Sequence, residues 1–121
     1  MEQIINSKQY DLEKRSFEFA KRVRKFLKQL PRSISNSEDS KQLARSSGSV
    51  GANYIEANES LSKKDFVMRI KISRKEAKES QHWIKLLDTG DKIELENERK
   101  ILLQEAIELM LILSAIMRKS E

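Results

Sequence analysis

Residues that interrupt helices are scarce in this chain of 121 residues. It holds a single proline, Pro31, and three glycines, Gly48, Gly51 and Gly90. Leucine, isoleucine, lysine, glutamate, arginine, serine and alanine dominate, and most of these favour helices. Turns commonly need glycine or proline. The scarcity of both residues therefore indicates long helices with short connections. The sequence therefore predicts one all-α domain.

Apolar and small residues recur at steps of three and four along four segments, which is the period of one helix face. In the second segment this series continues through Gly48 and Gly51 without a slip. We therefore expect both glycines to lie inside a helix, while Pro31 and Gly90 mark helix ends. The predicted helices span about 11–30, 37–60, 62–87 and 91–118.

The predicted helix ends rest on capping residues. Asn36 or Ser37 is expected to cap the second helix, and its buried series is expected to end at Leu61. The third helix is expected to begin at Ser62, whose hydroxyl can accept a hydrogen bond from the backbone near Asp65.

Small residues form a ridge along the second predicted helix. A glycine inside a helix costs about 1 kcal/mol relative to alanine, so two of them call for a compensating contact. Close approach of another helix supplies one, and a ligand-binding break in the helix is the alternative. The residues predicted to pack closely are Ala44, Gly48, Gly51 and Ala52.

The third and fourth predicted helices carry more apolar surface than one bundle core buries. The fourth is apolar nearly all round in its last three turns, and the third has a second strip away from its core face. Such surface indicates contact between copies of the chain, although scattered exposed leucines are also normal. The predicted oligomer interface comprises Met68, Ile72, Trp83 and Leu86.

Basic residues concentrate in the first and third predicted helices. The chain holds 24 lysines and arginines against 19 acidic residues, a net charge of +5. Rows of positive charge bind phosphates by releasing counterions, so RNA or DNA is the predicted partner, without a base-reading motif. The alternatives are a scaffold for a protein partner or an ordinary solvated surface. The predicted nucleic-acid-binding residues are Lys14, Lys21, Lys25, Lys28, Lys64, Lys71, Arg74, Lys75, Lys78 and Lys85.

Catalysis and metal binding find little support in the sequence. The chain has no cysteine and one histidine, His82, so no Ser/His/Asp or Cys/His nucleophile is predicted. Glu79 and His82 have the spacing of one di-iron ligand pair, but such a site needs the pair twice. We expect no enzyme, no cofactor and no metal. The absence of cysteine, of a leader-like N-terminus and of a membrane-length apolar run predicts a cytoplasmic protein without membrane contact.

Three stretches resemble a known family. They are RSSGSVGANYIEA from Arg45, KDFVMRIKISRKEAKE from Lys64 and HWIKLL from His82. The sequence is similar to bacterial proteins encoded in intervening sequences of 23S rRNA genes. Relatives of that fold include the accessory protein of diversity-generating retroelements, a basic pentamer that binds nucleic acid and partners a reverse transcriptase. The resemblance implies an antiparallel up-and-down four-helix bundle assembled as a homopentamer.

The resemblance also implies a polar cluster beside the small ridge. Buried polar groups need partners, and Asn53 and Glu56 have candidates in Arg45 on their own helix and in Arg69 and Glu76 across the bundle. The matching positions are expected to be structural rather than reactive. They are Arg45, Ser46, Gly51, Asn53, Glu56, Arg69, Ser73 and Glu76.

Overall fold

A computed structural model describes residues 2–121, with side chains from residue 12 onward. It contains four helices and, within that range, no strand. They are α1 (Glu2–Leu27), α2 (Ile34–Asn58), α3 (Lys63–Leu86) and α4 (Ile93–Ser120). Each helix packs against the next, and α1 also packs against α4. The short connections make this an antiparallel up-and-down bundle, which confirms the predicted fold class.

One hydrophobic core runs along the bundle axis, and the predicted seams supply it. Residues at the middle of each seam are almost completely buried, whereas Leu30, Phe66 and Ile116 near the seam ends are partly buried. Burying one large apolar side chain contributes about 1.5–3 kcal/mol, so this core is the main source of stability. The most buried large side chains include Val23, Phe26, Leu43, Ile70, Ile84, Leu102, Leu109 and Leu113.

Helix α1 differs from its prediction at both ends. It begins at Glu2, ahead of the predicted start near residue 11. No glycine or proline lies between residues 2 and 27, so nothing in that stretch stops a helix. The helix ends at Leu27, one turn before Pro31, because proline has no N–H to donate to the Leu27 carbonyl and so cannot continue the helix.

The predicted cap of α2 was wrong. The helix begins at Ile34, and Ser33 is its N-cap, with a hydroxyl that accepts a hydrogen bond from the Asn36 N–H at 3.0 Å. At its other end α2 stops at Asn58, so Leu61 falls in the connection and is fully exposed rather than buried.

The start of α3 confirms its predicted cap. The Ser62 hydroxyl accepts a hydrogen bond from the Asp65 N–H at 3.1 Å. At its C-terminal end, Arg99 of α4 donates to the carbonyl oxygens of Ile84 at 2.7 Å and Lys85 at 3.0 Å. Since the last carbonyls of a helix lack partners within it, Arg99 satisfies two groups that would otherwise need water.

Asn36 ties together the two connections at one end of the bundle. Its side-chain NH₂ donates to the carbonyl oxygens of Pro31 at 2.8 Å and Asp88 at 2.9 Å. Its side-chain oxygen accepts from the Asp88 N–H at 2.9 Å. The buried amide therefore fixes the α1–α2 connection to the α3–α4 connection. The turn beyond Asp88 contains Gly90 with a φ of +66°, a backbone conformation that favours glycine.

Candidate nucleic-acid interface

A row of lysines follows the outer side of α3. Ile70, Ala77 and Ile84 face the core, and the basic residues occupy the other side of the helix. Within the described chain only Lys71 of this row forms an ion pair, with Glu121 at 3.6 Å. The row is therefore available to external anions. Its exposed members are Lys64, Lys71, Lys75, Lys78 and Lys85.

Arg74 differs from the lysines of the same row. It is half-buried, and its Nε is buried without a hydrogen-bond partner among residues 12–121. A guanidinium packed in this way has less freedom to follow a phosphate than an exposed lysine has. Arg74 thus lies at the edge of the surface rather than on it.

The second predicted row lies on α1. Lys14, Lys21, Lys25 and Lys28 are exposed, and none forms an ion pair with any residue whose side chain the structure describes. Among the described residues no Cα atom of α1 lies within 8 Å of one in α3, so these two helices occupy diagonal corners of the bundle. Since each row faces away from the core, the two rows point in opposite directions. One subunit therefore does not join the two predicted rows into one surface.

Arginines join the helices where lysines do not. Arg15 of α1 forms a two-pronged pair with Glu105 of α4, with N···O distances of 2.7 and 3.1 Å. Arg22 pairs in the same way with Glu98, at 2.5 and 2.9 Å. The hydrogen bonds that Arg15 donates to Glu105 raise the pKa of the guanidinium above its already high ordinary value, so the pair stays charged. Both arginines therefore join α1 to α4.

The predicted polar cluster lies between α2 and α3. The Ser73 hydroxyl donates to the Val50 carbonyl at 2.7 Å, and the Ser46 and Ser80 hydroxyls share a hydrogen bond of 2.8 Å. Buried hydroxyls with partners of this kind fix how two helices sit on each other. Both contacts join α2 to α3 and are structural.

The charged members of the cluster lie nearer the surface. Arg69 donates to the Asn53 side-chain oxygen at 3.2 Å. Arg45 pairs with Glu76 at 3.1 Å and with Glu79 at 2.9 Å. Sequence reasoning missed Glu79 in this role, although its position one turn after Glu76 was a usable signal.

Glu56 stands apart from this cluster. It is exposed, and its carboxylate accepts no hydrogen bond from the described side chains. The structure thus places Gly51 against α1 and Glu56 in solvent, and it brings the other predicted members together between α2 and α3.

A profile described as 23S rRNA-intervening sequence protein matches residues 8–115. The chain belongs to this family. It is also similar to a crystal structure described as a protein of unknown function from the S23 ribosomal protein family of Bacteroides thetaiotaomicron VPI-5482. The TM-score is 0.75 at 29% sequence identity, over 92% of this chain and 98% of that one. Curated proteins gave no match.

In this 23S rRNA-intervening sequence protein the small ridge faces α1. A β-carbon placed on Gly51 would lie 3.0 Å from the Ser16 hydroxyl oxygen of α1, and one placed on Gly48 would lie 3.2 Å from Arg24 Nη2. The carbonyl of Ala44 accepts from that same nitrogen at 3.2 Å. Ala52 is exposed and takes no part in the contact.

Apolar side chains remain exposed on several faces of this family member. Met68 and Leu86 of the predicted interface strip are about half exposed, whereas Ile72 and Trp83 are half-buried. Exposed apolar residues also occur on α1, α2 and α4, so the α3 strip is one of several such surfaces. The others include Phe17, Ile55, Ile101 and Leu111.

No three histidine, aspartate or glutamate side chains lie close enough to hold a metal ion in the part of the chain with described side chains. Across the described helices, none combines the length and apolar character needed to cross a bilayer.

Proposed function

We propose that this chain is a non-enzymatic, self-associating bundle of the cytoplasm that binds the backbone of RNA or DNA without sequence preference. Its binding surfaces are the lysine rows of α1 and α3. One observation carries the proposal: Arg15, Arg22 and Arg45 pair with glutamates of a neighbouring helix, while the row lysines other than Lys71 form no ion pair with the described side chains.

The arrangement of the rows supports self-association. Affinity falls as salt rises, and each phosphate neutralised by a lysine steepens the plot of log affinity against log salt by about 0.7–0.9. A single row offers few such contacts, and the two rows of a subunit point apart. A homopentamer, as the family resemblance implies, repeats each row around a ring, so that one strand can meet several copies.

The carboxyl groups with a resolved pKa shift support the non-enzymatic part of the proposal. General acids at neutral pH need carboxyl groups with raised pKa values. Here the resolved carboxyl shifts run the other way, since hydrogen bonds from Thr89 and Arg99 lower the pKa of Glu96, and bonds from Gln104 and Arg15 lower that of Glu108. These carboxylates serve pairing rather than proton transfer.

The test is a salt titration of binding to a fluorescein-labelled RNA of mixed sequence, followed by anisotropy. A variant with Lys75→Gln, Lys78→Gln and Lys85→Gln should bind more weakly, with a slope smaller by about 2. The matched control removes three exposed lysines elsewhere, Lys41, Lys92 and Lys100, and should retain most of the slope. No binding by the native protein at low salt would refute the proposal.

A protein scaffold without a nucleic-acid role is the alternative, and the exposed apolar residues favour it. The mass of the assembly, measured by light scattering, tests whether the α3 strip of Met68, Ile72, Trp83 and Leu86 joins copies of the chain. Met68→Asp with Leu86→Asp should lower the mass of the assembly, whereas Leu61→Asp, at a fully exposed position outside the strip, should not. An assembly that forms normally with both strip substitutions would place the interface elsewhere.

A further inference from the structure

An aromatic pair lies within the lysine row of α3. The ring centroids of His82 and Trp83 are 4.8 Å apart, with their planes inclined by 71°. Trp83 is half-buried against the core, and its indole N–H donates to Glu79 Oε1 at 3.3 Å. His82 itself is exposed. A fixed indole therefore holds an accessible imidazole at the surface.

Lysines flank this imidazole along the helix. Lys78 lies four residues before His82 and Lys85 three residues after it, and residues at these spacings are neighbours on a helix surface. The two lysines are about 10.5 Å apart along the axis, with the ring between them. All three residues line one shallow depression, together with Arg74, Lys75, Glu79 and Gln81.

The carboxylate in this depression, that of Glu79, is already paired. Glu79 is one turn before His82, but its oxygen faces α2, where Arg45 pairs with it at 2.9 Å. Arg45 and Trp83 thus both engage the same Glu79 oxygen. The lysines beside the ring are left without a negative partner on their own helix.

We propose that His82 is a stacking platform for one unpaired base, with Lys78 and Lys85 binding the phosphates on either side, so that the α3 row prefers single-stranded to duplex nucleic acid. This rests on the proposed nucleic-acid binding and names its substrate class. Proteins that bind single strands combine a positive track with aromatic rings, because every base has a face to stack. A base inside a duplex has no free face.

The shape of the surface supports the same preference. The α3 row lies on the outer side of a single helix and the α1 row faces the opposite way, so these two rows do not form the facing walls of a cleft for a duplex. A single strand can follow one row and turn a base onto the ring.

The experiment compares four proteins on two probes. The probes are a fluorescein-labelled 12-nucleotide RNA and the same RNA annealed to its complement. The proteins are the native chain and the variants His82→Ala, His82→Phe and His82→Lys. Each variant is changed only at His82, an exposed position outside the core. His82→Ala should bind the single strand about 5- to 20-fold more weakly, with an unchanged salt slope, and the duplex within about twofold.

The other two variants separate stacking from charge. His82→Phe should keep single-strand affinity within about twofold, whereas His82→Lys should lose affinity although it gains charge. Tighter binding by His82→Lys than by the native protein would overturn the inference, as would equal binding by His82→Ala.

Intrinsic fluorescence gives a second readout. Trp83 is the only tryptophan in the chain, so its emission reports on this site. Single-stranded RNA should change that emission in the native protein and not in His82→Ala at saturating concentration. Binding of both probes with no dependence on His82 would refute the stacking site and leave the proposed function standing. Binding of neither probe would refute both.

Discussion

Gly48 and Gly51 offer a matched test of how closely α1 approaches α2. Replacing a glycine inside a helix by alanine gains about 1 kcal/mol from helix propensity alone. At Gly48 the new β-carbon would lie 3.2 Å from Arg24 Nη2, the far end of an exposed and flexible side chain. Because Arg24 can move aside, Gly48→Ala should raise the free energy of unfolding by about 0.5–1 kcal/mol.

At Gly51 the same change meets a fixed neighbour. The new β-carbon would lie 3.0 Å from Ser16 Oγ and 3.5 Å from Ser16 Cβ, and Ser16 is buried. Overpacking of this kind costs about 1–3 kcal/mol, which offsets the gain in propensity. Gly51→Ala should therefore lower the free energy of unfolding by between zero and about 2 kcal/mol relative to the native protein.

Urea unfolding, monitored by circular dichroism, measures the free energy of unfolding of both variants. A difference of about 1 kcal/mol corresponds to roughly 4 °C in Tm for a chain of this size. Among the described residues, the Ser16 hydroxyl bonds only within its own helix, to the Glu13 carbonyl at 3.0 Å. Adding Gly51→Ala to Ser16→Ala should therefore recover most of the propensity gain. If Gly51→Ala proved as stabilising as Gly48→Ala, the inferred close contact would be wrong.

Three further changes test the fixed end of the bundle. Asn36→Ala removes three hydrogen bonds between connections and should cost about 2–4 kcal/mol in urea unfolding, against about 0.5 or less for the exposed Asn97→Ala; equal effects would contradict the role given to Asn36. Arg99→Ala should cost about 1–2 kcal/mol and speed amide exchange in the last turn of α3, whereas Lys100→Ala should not. Hydrogen bonds from Thr89 and Arg99 hold the pKa of Glu96 below its ordinary 4.5, so the ionised carboxylate stabilises the fold above that pH and loses this contribution as the pH falls. Glu96→Gln should accordingly lose less stability than the native protein between pH 7 and 3, and parallel losses would contradict this.

Much of the fold follows from periodicity. Steps of three and four identify which face of each helix is buried, and residues such as Val50, Ile70 and Leu109 lie there. The same reasoning failed where an apolar residue continued the pattern beyond the helix end, as at Leu61. A seam shows which face is apolar, but it does not show where the backbone stops being helical.

The contacts between distant segments were less accessible to sequence reasoning. Asn36 looked like a helix cap, and its partner Asp88 lies 52 residues away. The opposed directions of the α1 and α3 rows depend on the order of the helices around the bundle. Periodicity describes each helix alone, so it carries no information about which helices become neighbours.

The separation of arginines from lysines has a consequence for how this scaffold can vary. Contacts such as Arg15 with Glu105 and Arg45 with Glu76 hold the helices in place, whereas the exposed rows, apart from Lys71 with Glu121, form no ion pair with the described side chains. Substitutions in the rows therefore leave the architecture intact. Members of such a lineage can exchange one exterior for another, and acquire different partners, while their interiors stay the same.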